Sequence, residues 1–120
     1  KLDEAEAILR GLVDAFALRY GARHYEVAVA CHNLAAVLGE RGRHDEAEGF
    51  YRRSLSIKRA RLGPTHPDLA ITQHNLAVTL QVLGRARAAS RLQRSAFALA
   101  RQTLGPRHPT TLACAEALRP

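Results

Sequence analysis

The chain has 120 residues, of which 47% are apolar, with three Phe, three Tyr and no Trp. This composition predicts a folded domain whose core consists mainly of Ala, Leu and Val. No segment approaches the roughly 18 consecutive apolar residues that a membrane-spanning helix needs, and residues 1–5 do not resemble a signal peptide. We therefore expect a soluble, cytoplasmic protein without a membrane partner. The net charge of +7 favours acidic partners without identifying them.

Helical periodicity runs along the whole chain. Apolar residues recur at about 3.6-residue spacing, as in Val27, Cys31, Leu34 and Leu38, and this spacing is typical of an amphipathic helix. No segment shows the strict alternation of a half-buried strand. The sequence therefore predicts an all-α protein with about six helices, near residues 2–19, 26–41, 45–61, 67–83, 86–103 and 109–118.

The sequence repeats itself with a period of 42 residues. Residues 62–67 align with residues 104–109, and the His-Asn-Leu-Ala segment at 32–35 aligns with the same four residues at 74–77. Each repeat contains two helices, and a glycine that tolerates a positive φ follows each helix. Such a period is the signature of a helical repeat protein. The glycines stand at positions 21, 42, 63, 84 and 105.

These repeated residues resemble the tetratricopeptide repeat, in its 42-residue kinesin light chain-like version. The resemblance is carried by Asn-Leu-Ala at 33–35, Gly42, Ala47, and the segment 62–70, and much of the pattern returns one period later. One departure is Gln93, which replaces a tyrosine of the preceding repeat. The resemblance implies an α-solenoid of antiparallel helix pairs that form a right-handed superhelix. The abundance of Ala, and of Arg over Lys, suggests a bacterial source.

The repeat frame divides the chain into a half repeat at 1–21, full repeats at 22–63 and 64–105, and a half repeat at 106–120. A terminal repeat exposes the apolar face that its neighbour would cover. We therefore expect the chain to be part of a longer array. The alternative is a self-assembling structural protein that associates through its end helices. The apolar residues concerned are Leu2, Ile8, Leu9 and Leu12 at one end and Leu112 and Leu118 at the other.

The resemblance implies that the protein binds other proteins. In this family the first helix of each repeat lines a concave groove, and an Asn before the motif leucine binds the backbone of an extended peptide. The matching residues are Asn33 and Asn75, whereas Ala117 occupies the third such position. An amide suits this role because it donates and accepts hydrogen bonds without the desolvation cost of a charge. The predicted groove comprises Val29, His32, Asn33, Ala36, Ile71, His74, Asn75, Val78 and Gln81.

No Lys or Arg lies among these groove positions, so an acidic C-terminal peptide is a disfavoured ligand. If His32 and His74 contact the ligand, binding should change between about pH 5 and pH 8. The alternative is that His32 and Asn33 only satisfy local hydrogen bonds on a hydrated face.

A second candidate surface is defined by charge. No Asp or Glu lies between Leu69 and Ala115. Arg87, Arg91 and Arg94 share one helical face, and Arg101 follows two turns later. This basic face would suit an acidic protein surface or, as a less favoured partner, nucleic acid. The alternative is that these arginines form a solvated outer face.

Catalysis, cofactors and metal ions are not predicted. The motifs of serine hydrolases, metalloproteases, phosphate-binding loops and dinucleotide-binding folds are absent. Histidines that recur with the period are typical of structural positions, since equivalent residues of adjacent repeats lie about 8–10 Å apart, too far to share one zinc ion. Cys31 and Cys114 have no neighbouring cysteine and are predicted to be buried thiols. The predicted function is a non-enzymatic scaffold for a peptide, a partner protein or another domain of the parent chain.

Overall fold

A computed structural model describes all residues from 1 to 120. It contains six helices and no strand, so the all-α prediction is confirmed, and the helix boundaries lie within one residue of the predicted ones. None of the helices combines the length and the apolar character that crossing a bilayer requires. The helices are α1 (Leu2–Tyr20), α2 (Tyr25–Glu40), α3 (His44–Leu62), α4 (Asp68–Val82), α5 (Ala86–Leu104) and α6 (Pro109–Ala117).

Short turns that contain a glycine end α2 and α4. Gly42 has a φ of +80°, a conformation that a side chain would disfavour. The N–H of Arg43 then donates to the carbonyl of Leu38 at 2.9 Å, which is the bond that defines a Schellman motif. The same motif ends α4 at Gly84, where φ is +83°. These glycines reverse the chain within a few residues and bring the next helix back along the previous one.

The longer turns before α2, α4 and α6 each contain a histidine that caps the following helix. In each turn the imidazole Nδ1 accepts a hydrogen bond of 3.1 Å from the backbone N–H two residues later. This bond satisfies a donor at the helix start that has no partner within the helix. The three loop histidines therefore act as helix-start residues. The bonded pairs are His24 with Glu26, His66 with Asp68, and His108 with Thr110.

The chain forms two compact units, an N-terminal unit of residues 1–61 and a C-terminal unit of residues 62–120. In the N-terminal unit α1 packs against α2. The buried Ser54 hydroxyl of α3 donates to the Ala28 carbonyl of α2 at 2.7 Å, so α3 also contacts α2. The centre of this unit is filled by the fully buried side chains Val27, Leu34, Leu38 and Ile57.

An ionic cluster joins α1 to the turn between α2 and α3. The Glu6 carboxylate accepts hydrogen bonds from Arg10 at 2.8 Å and from Arg43 at 2.7 Å. Both arginines also bond to Glu46, and Arg41 lies 3.4 Å from Glu6. The hydrogen bond from Arg10 and the neighbouring guanidinium charges lower the pKa of Glu6. Several arginines of the N-terminal unit are therefore neutralised within the fold.

In the C-terminal unit α5 packs against both α4 and α6, and Gln93 links the three helices. Its buried amide Nε2 donates to His74 Nδ1 of α4 at 2.7 Å, and its side chain also hydrogen-bonds the Cys114 thiol of α6. In the N-terminal unit the equivalent residue, Tyr51, contacts His32 edge to face, with 5.4 Å between ring centres. The replacement of tyrosine by glutamine thus retains contact with the histidine of the preceding helix.

Candidate functional site

The predicted groove residues of the N-terminal unit lie along one stripe of α2. Asn33 is exposed, whereas Val29, His32 and Ala36 are half-buried. Their spacing of three or four residues places them on the same side of the helix. The structure therefore presents one amide to solvent beside small and apolar side chains.

The predicted groove residues of the C-terminal unit form the equivalent stripe of α4. Ile71 is 37% exposed and Val78 is 44% exposed, while Asn75 lies between them and is half-buried. Gln81 is exposed, and Val82, one turn beyond Val78, is 57% exposed. Exposed apolar side chains in a row mark candidate contact surfaces. Val82 was not predicted, although its spacing from Val78 places it on the same stripe.

Both histidines on these stripes favour the neutral form. Burial, together with the nearby Lys58 ammonium group, lowers the pKa of His32 from its ordinary 6.5 to about 4. Burial also lowers the pKa of His74. A pKa of about 4 places the titration of His32 below the range of about pH 5 to pH 8 in which binding was expected to change, because the half-buried ring is partly desolvated. Whether binding depends on pH stays a prediction. Near pH 7, His32 carries no charge.

A small cavity adjoins the exposed valines of α4. It has a volume of about 250 Å³ and lies where α4, α5 and α6 meet. Val78, Gln81 and Val82 form its α4 side, and Ser90 and Gln93 of α5 and Leu118 after α6 also line it. The sequence alone did not reveal this cavity, since its lining residues, from Ala77 to Leu118, are up to 41 positions apart in the chain. Hereafter it is called the α4–α6 pocket.

The predicted basic face lies along α5. Arg87, Arg91, Arg94 and Arg101 are all exposed, and a shallow depression of about 360 Å³ lies among the first three. No carboxylate comes within ion-pair distance of these four guanidinium groups, in contrast to the arginines that bond to Glu6 and Glu46. The C-terminal unit contains seven Arg, no Lys and only two acidic residues, Asp68 and Glu116. Its positive charge is therefore largely uncompensated.

The two cysteines are buried, whereas most of the apolar end residues are exposed. Cys31 and Cys114 are buried free thiols, and burial raises the pKa of both, so neither is an activated nucleophile. Leu9 and Leu118 are half-buried. Association of chains through the remaining apolar end residues stays a prediction. Those residues, all exposed, are Leu2, Ile8, Leu12 and Leu112.

Helix pairs repeated along the chain define an all-α helical repeat protein. The family model described as tetratricopeptide repeat matches residues 1–60, 32–102 and 68–118. The chain belongs to the tetratricopeptide repeat family. Repeats of this family generally mediate protein–protein interactions.

Solved structures of similar fold support this assignment. One contains the nearly identical TPR-like repeats of a Podosopora anserina protein named for kinesin light chain. It is 26% identical to the chain, with a TM-score of 0.88, and the match covers 98% of this chain and 55% of that one. A second structure of these repeats is 27% identical to the chain, with a TM-score of 0.87; the match covers 98% of this chain and 56% of that one. The chain thus spans a little over half of each structure. None of the curated proteins compared with the chain matches it.

Proposed function

We propose that the protein is a scaffold that binds segments of a partner protein, or of another domain of its parent chain, on the stripe of α2 in the N-terminal unit and on the stripe of α4 in the C-terminal unit. The observation that carries the proposal is the exposure of Ile71 and Val78 on either side of Asn75. Apolar side chains supply contact area by burial, and an amide pairs with peptide N–H and carbonyl groups. This combination suits an extended polypeptide.

The charge of the stripes restricts the kind of segment that they would bind. None of the nine predicted groove positions is Lys, Arg, Asp or Glu, and His32 is neutral near pH 7 because its pKa is about 4. A charged ligand side chain would lose hydration there without gaining an opposite charge. The scaffold should therefore prefer uncharged segments, with Asn33 and Asn75 as the backbone-binding residues.

Replacing both asparagines by alanine should reduce capture of the partner. An Asn33→Ala/Asn75→Ala variant loses two amides that would bond to the ligand backbone, and each such bond contributes about 1 kcal/mol. We expect at least about a fivefold fall in the amount of partner recovered by the immobilised protein. The matched control is Gln102→Ala, which removes an exposed amide from α5. Unchanged recovery by a folded double variant, checked by circular dichroism, would contradict the groove assignment.

A second candidate function is the binding of an anionic partner by the basic face of α5. It is favoured by the four exposed arginines that have no ion-pair partner. Arginine binds carboxylates and phosphates through two parallel hydrogen bonds. An acidic protein surface and nucleic acid are therefore the two partners that this face would suit.

Removal of two arginines from the basic face should weaken binding to anionic probes. A fluorescent polyglutamate peptide and a fluorescent DNA duplex are titrated at several salt concentrations with the wild type and with Arg87→Gln/Arg94→Gln. If the duplex binds here, the slope of log K against log salt should fall by about two in the variant. An Arg19→Gln/Arg59→Gln variant is the charge-matched control, since both residues are exposed in the N-terminal unit. Absence of binding to both probes at low salt would reject this function.

A further inference from the structure

The α4–α6 pocket differs from the equivalent positions of the preceding repeat. Val82 and Ser90 stand where that repeat has acidic residues, Gln93 stands where it has a tyrosine ring, and Val78 stands where it has an alanine. The replaced residues, 42 positions earlier, are Ala36, Glu40, Glu48 and Tyr51. The second full repeat has thus lost two charges and one large ring at positions that line a cavity.

The lining of the pocket is mainly apolar and carries no charge, and its polar side chains are two amides and the Ser90 hydroxyl. Val78 and Val82 contribute exposed apolar surface, and none of the lining residues is acidic or basic. Gln93 is hydrogen-bonded to His74 and Cys114, whereas Gln81 is exposed beside the cavity. An exposed amide there can bond to the backbone of a ligand whose side chain enters the pocket. A charged side chain would find no partner.

The volume of the pocket sets the size of its ligand. An apolar cavity of about 150 Å³ is enough to accommodate benzene, and pockets for drug-sized molecules begin at about 300 Å³. The pocket, at about 250 Å³, lies between these limits. It is therefore suited to one large amino-acid side chain.

We infer that the α4–α6 pocket binds a single bulky, uncharged apolar side chain, from leucine to phenylalanine in size, of the partner segment. This inference rests on the proposed scaffold function and adds a specificity-determining site to it. The pocket selects for a large apolar residue at one position of the bound segment and against Asp, Glu, Lys and Arg at that position. The preceding repeat, with Glu40, Glu48 and Tyr51 at the equivalent positions, makes no such selection.

Capped single amino acids test the pocket without knowledge of the partner. The probes are the N-acetyl, N′-methylamide derivatives of leucine, phenylalanine, alanine and glutamate, titrated into protein labelled at its valine methyl groups. We expect the leucine and phenylalanine probes to shift the NMR signals of Val78 and Val82 in a saturable way. Their dissociation constants should be on the order of 1 mM, as small ligands of this size allow. The alanine and glutamate probes should bind at least about tenfold more weakly.

Two variants restore features of the preceding repeat. Val82→Glu/Ser90→Glu introduces the two acidic residues, and Gln93→Tyr introduces the ring. Each should weaken binding of the leucine probe at least about tenfold. The matched control, Ser95→Glu/Gln102→Glu, adds two acidic residues at exposed positions of α5 that do not line the pocket, and it should leave probe binding unchanged. Absence of saturable shifts with the leucine probe, or equal binding of the glutamate probe, would overturn the inference.

Measuring capture of the partner by these variants distinguishes an incorrect pocket inference from an incorrect scaffold function. Loss of capture in Asn33→Ala/Asn75→Ala with full capture in Val82→Glu/Ser90→Glu would overturn the pocket inference and leave the scaffold function intact. Conversely, full capture in the asparagine variant with saturable binding of the leucine probe would contradict the groove while supporting the pocket as a binding site. Loss of capture in both variants, together with binding of the leucine probe, supports both proposals.

Discussion

Acidification from about pH 6.5 to about pH 4 should destabilise the protein, and a His32→Gln variant should lose much of this dependence. The pKa of His32 is lowered from 6.5 to about 4 by burial and by Lys58. Between these two values the unfolded chain binds a proton and the folded chain does not. The free energy of unfolding therefore rises with pH across this window. It reaches its full value above about pH 6.5 and decreases as the pH falls toward about 4.

The size of this effect follows from the difference between the two pKa values. At about 1.4 kcal/mol per pKa unit the shift from 6.5 to about 4 corresponds to at most about 3–4 kcal/mol. Solvent contact of the half-buried ring lowers the expected effect to about 2 kcal/mol. The shift in the pKa of Glu6 is also downward, so this carboxylate adds a further loss of stability at the acidic end. Comparison with the variant isolates the histidine contribution.

Urea unfolding at about pH 7, 5.5 and 4.5 measures the prediction. The wild type should lose about 2 kcal/mol more than His32→Gln between the highest and the lowest pH. His44→Gln is the matched control, because it makes the same substitution in a histidine at the start of α3, away from the contact between His32 and Tyr51. Parallel pH dependence of the wild type and His32→Gln would show that the imidazole titrates freely.

Replacing either of two buried glutamines of the C-terminal unit by leucine should change the free energy of unfolding, but in opposite directions. Gln93 is 4% exposed and bonds to His74 at 2.7 Å and to the Cys114 thiol. Gln93→Leu leaves both of these groups without their partner and should lower the free energy of unfolding by about 2 kcal/mol. Gln73 is 5% exposed, and its buried Oε1 accepts no hydrogen bond from the protein. Gln73→Leu removes this unpaired acceptor and should raise stability by about 1 kcal/mol.

Urea unfolding of the two leucine variants under one set of conditions checks this pair. Each variant is the control for the other, because both replace a buried glutamine of one unit by leucine. Equal losses of stability in the two variants would mean that Oε1 of Gln73 has a hydrogen-bond partner of similar strength. A gain in stability of the Gln93→Leu variant would mean that the hydrogen bonds of Gln93 contribute less than the apolar contacts that replace them.

The helices and their ends could be predicted because their causes are local. The 3.6-residue spacing of apolar positions, a glycine such as Gly42 after a helix, and a loop histidine such as His24 before one each act within a few residues of chain. The period placed Ile71 and Val78 on one stripe with Asn75, and these side chains are exposed or half-buried as a contact surface requires. The exposure of the basic face of α5 was predictable for the same reason.

Tertiary structure alone decided the charge state of His32, the partners of Gln93 and the existence of the α4–α6 pocket. His32 belongs to a helix stripe that predicts a hydrated face, yet Tyr51, 19 residues later in the chain, covers its ring. Gln93 looked like a departure from the repeat, but its amide links His74 to Cys114. Spacing along one helix determines which residues share a face. Desolvation, hydrogen-bond partners and cavity volume depend on side chains of other helices, which meet only when the chain has packed.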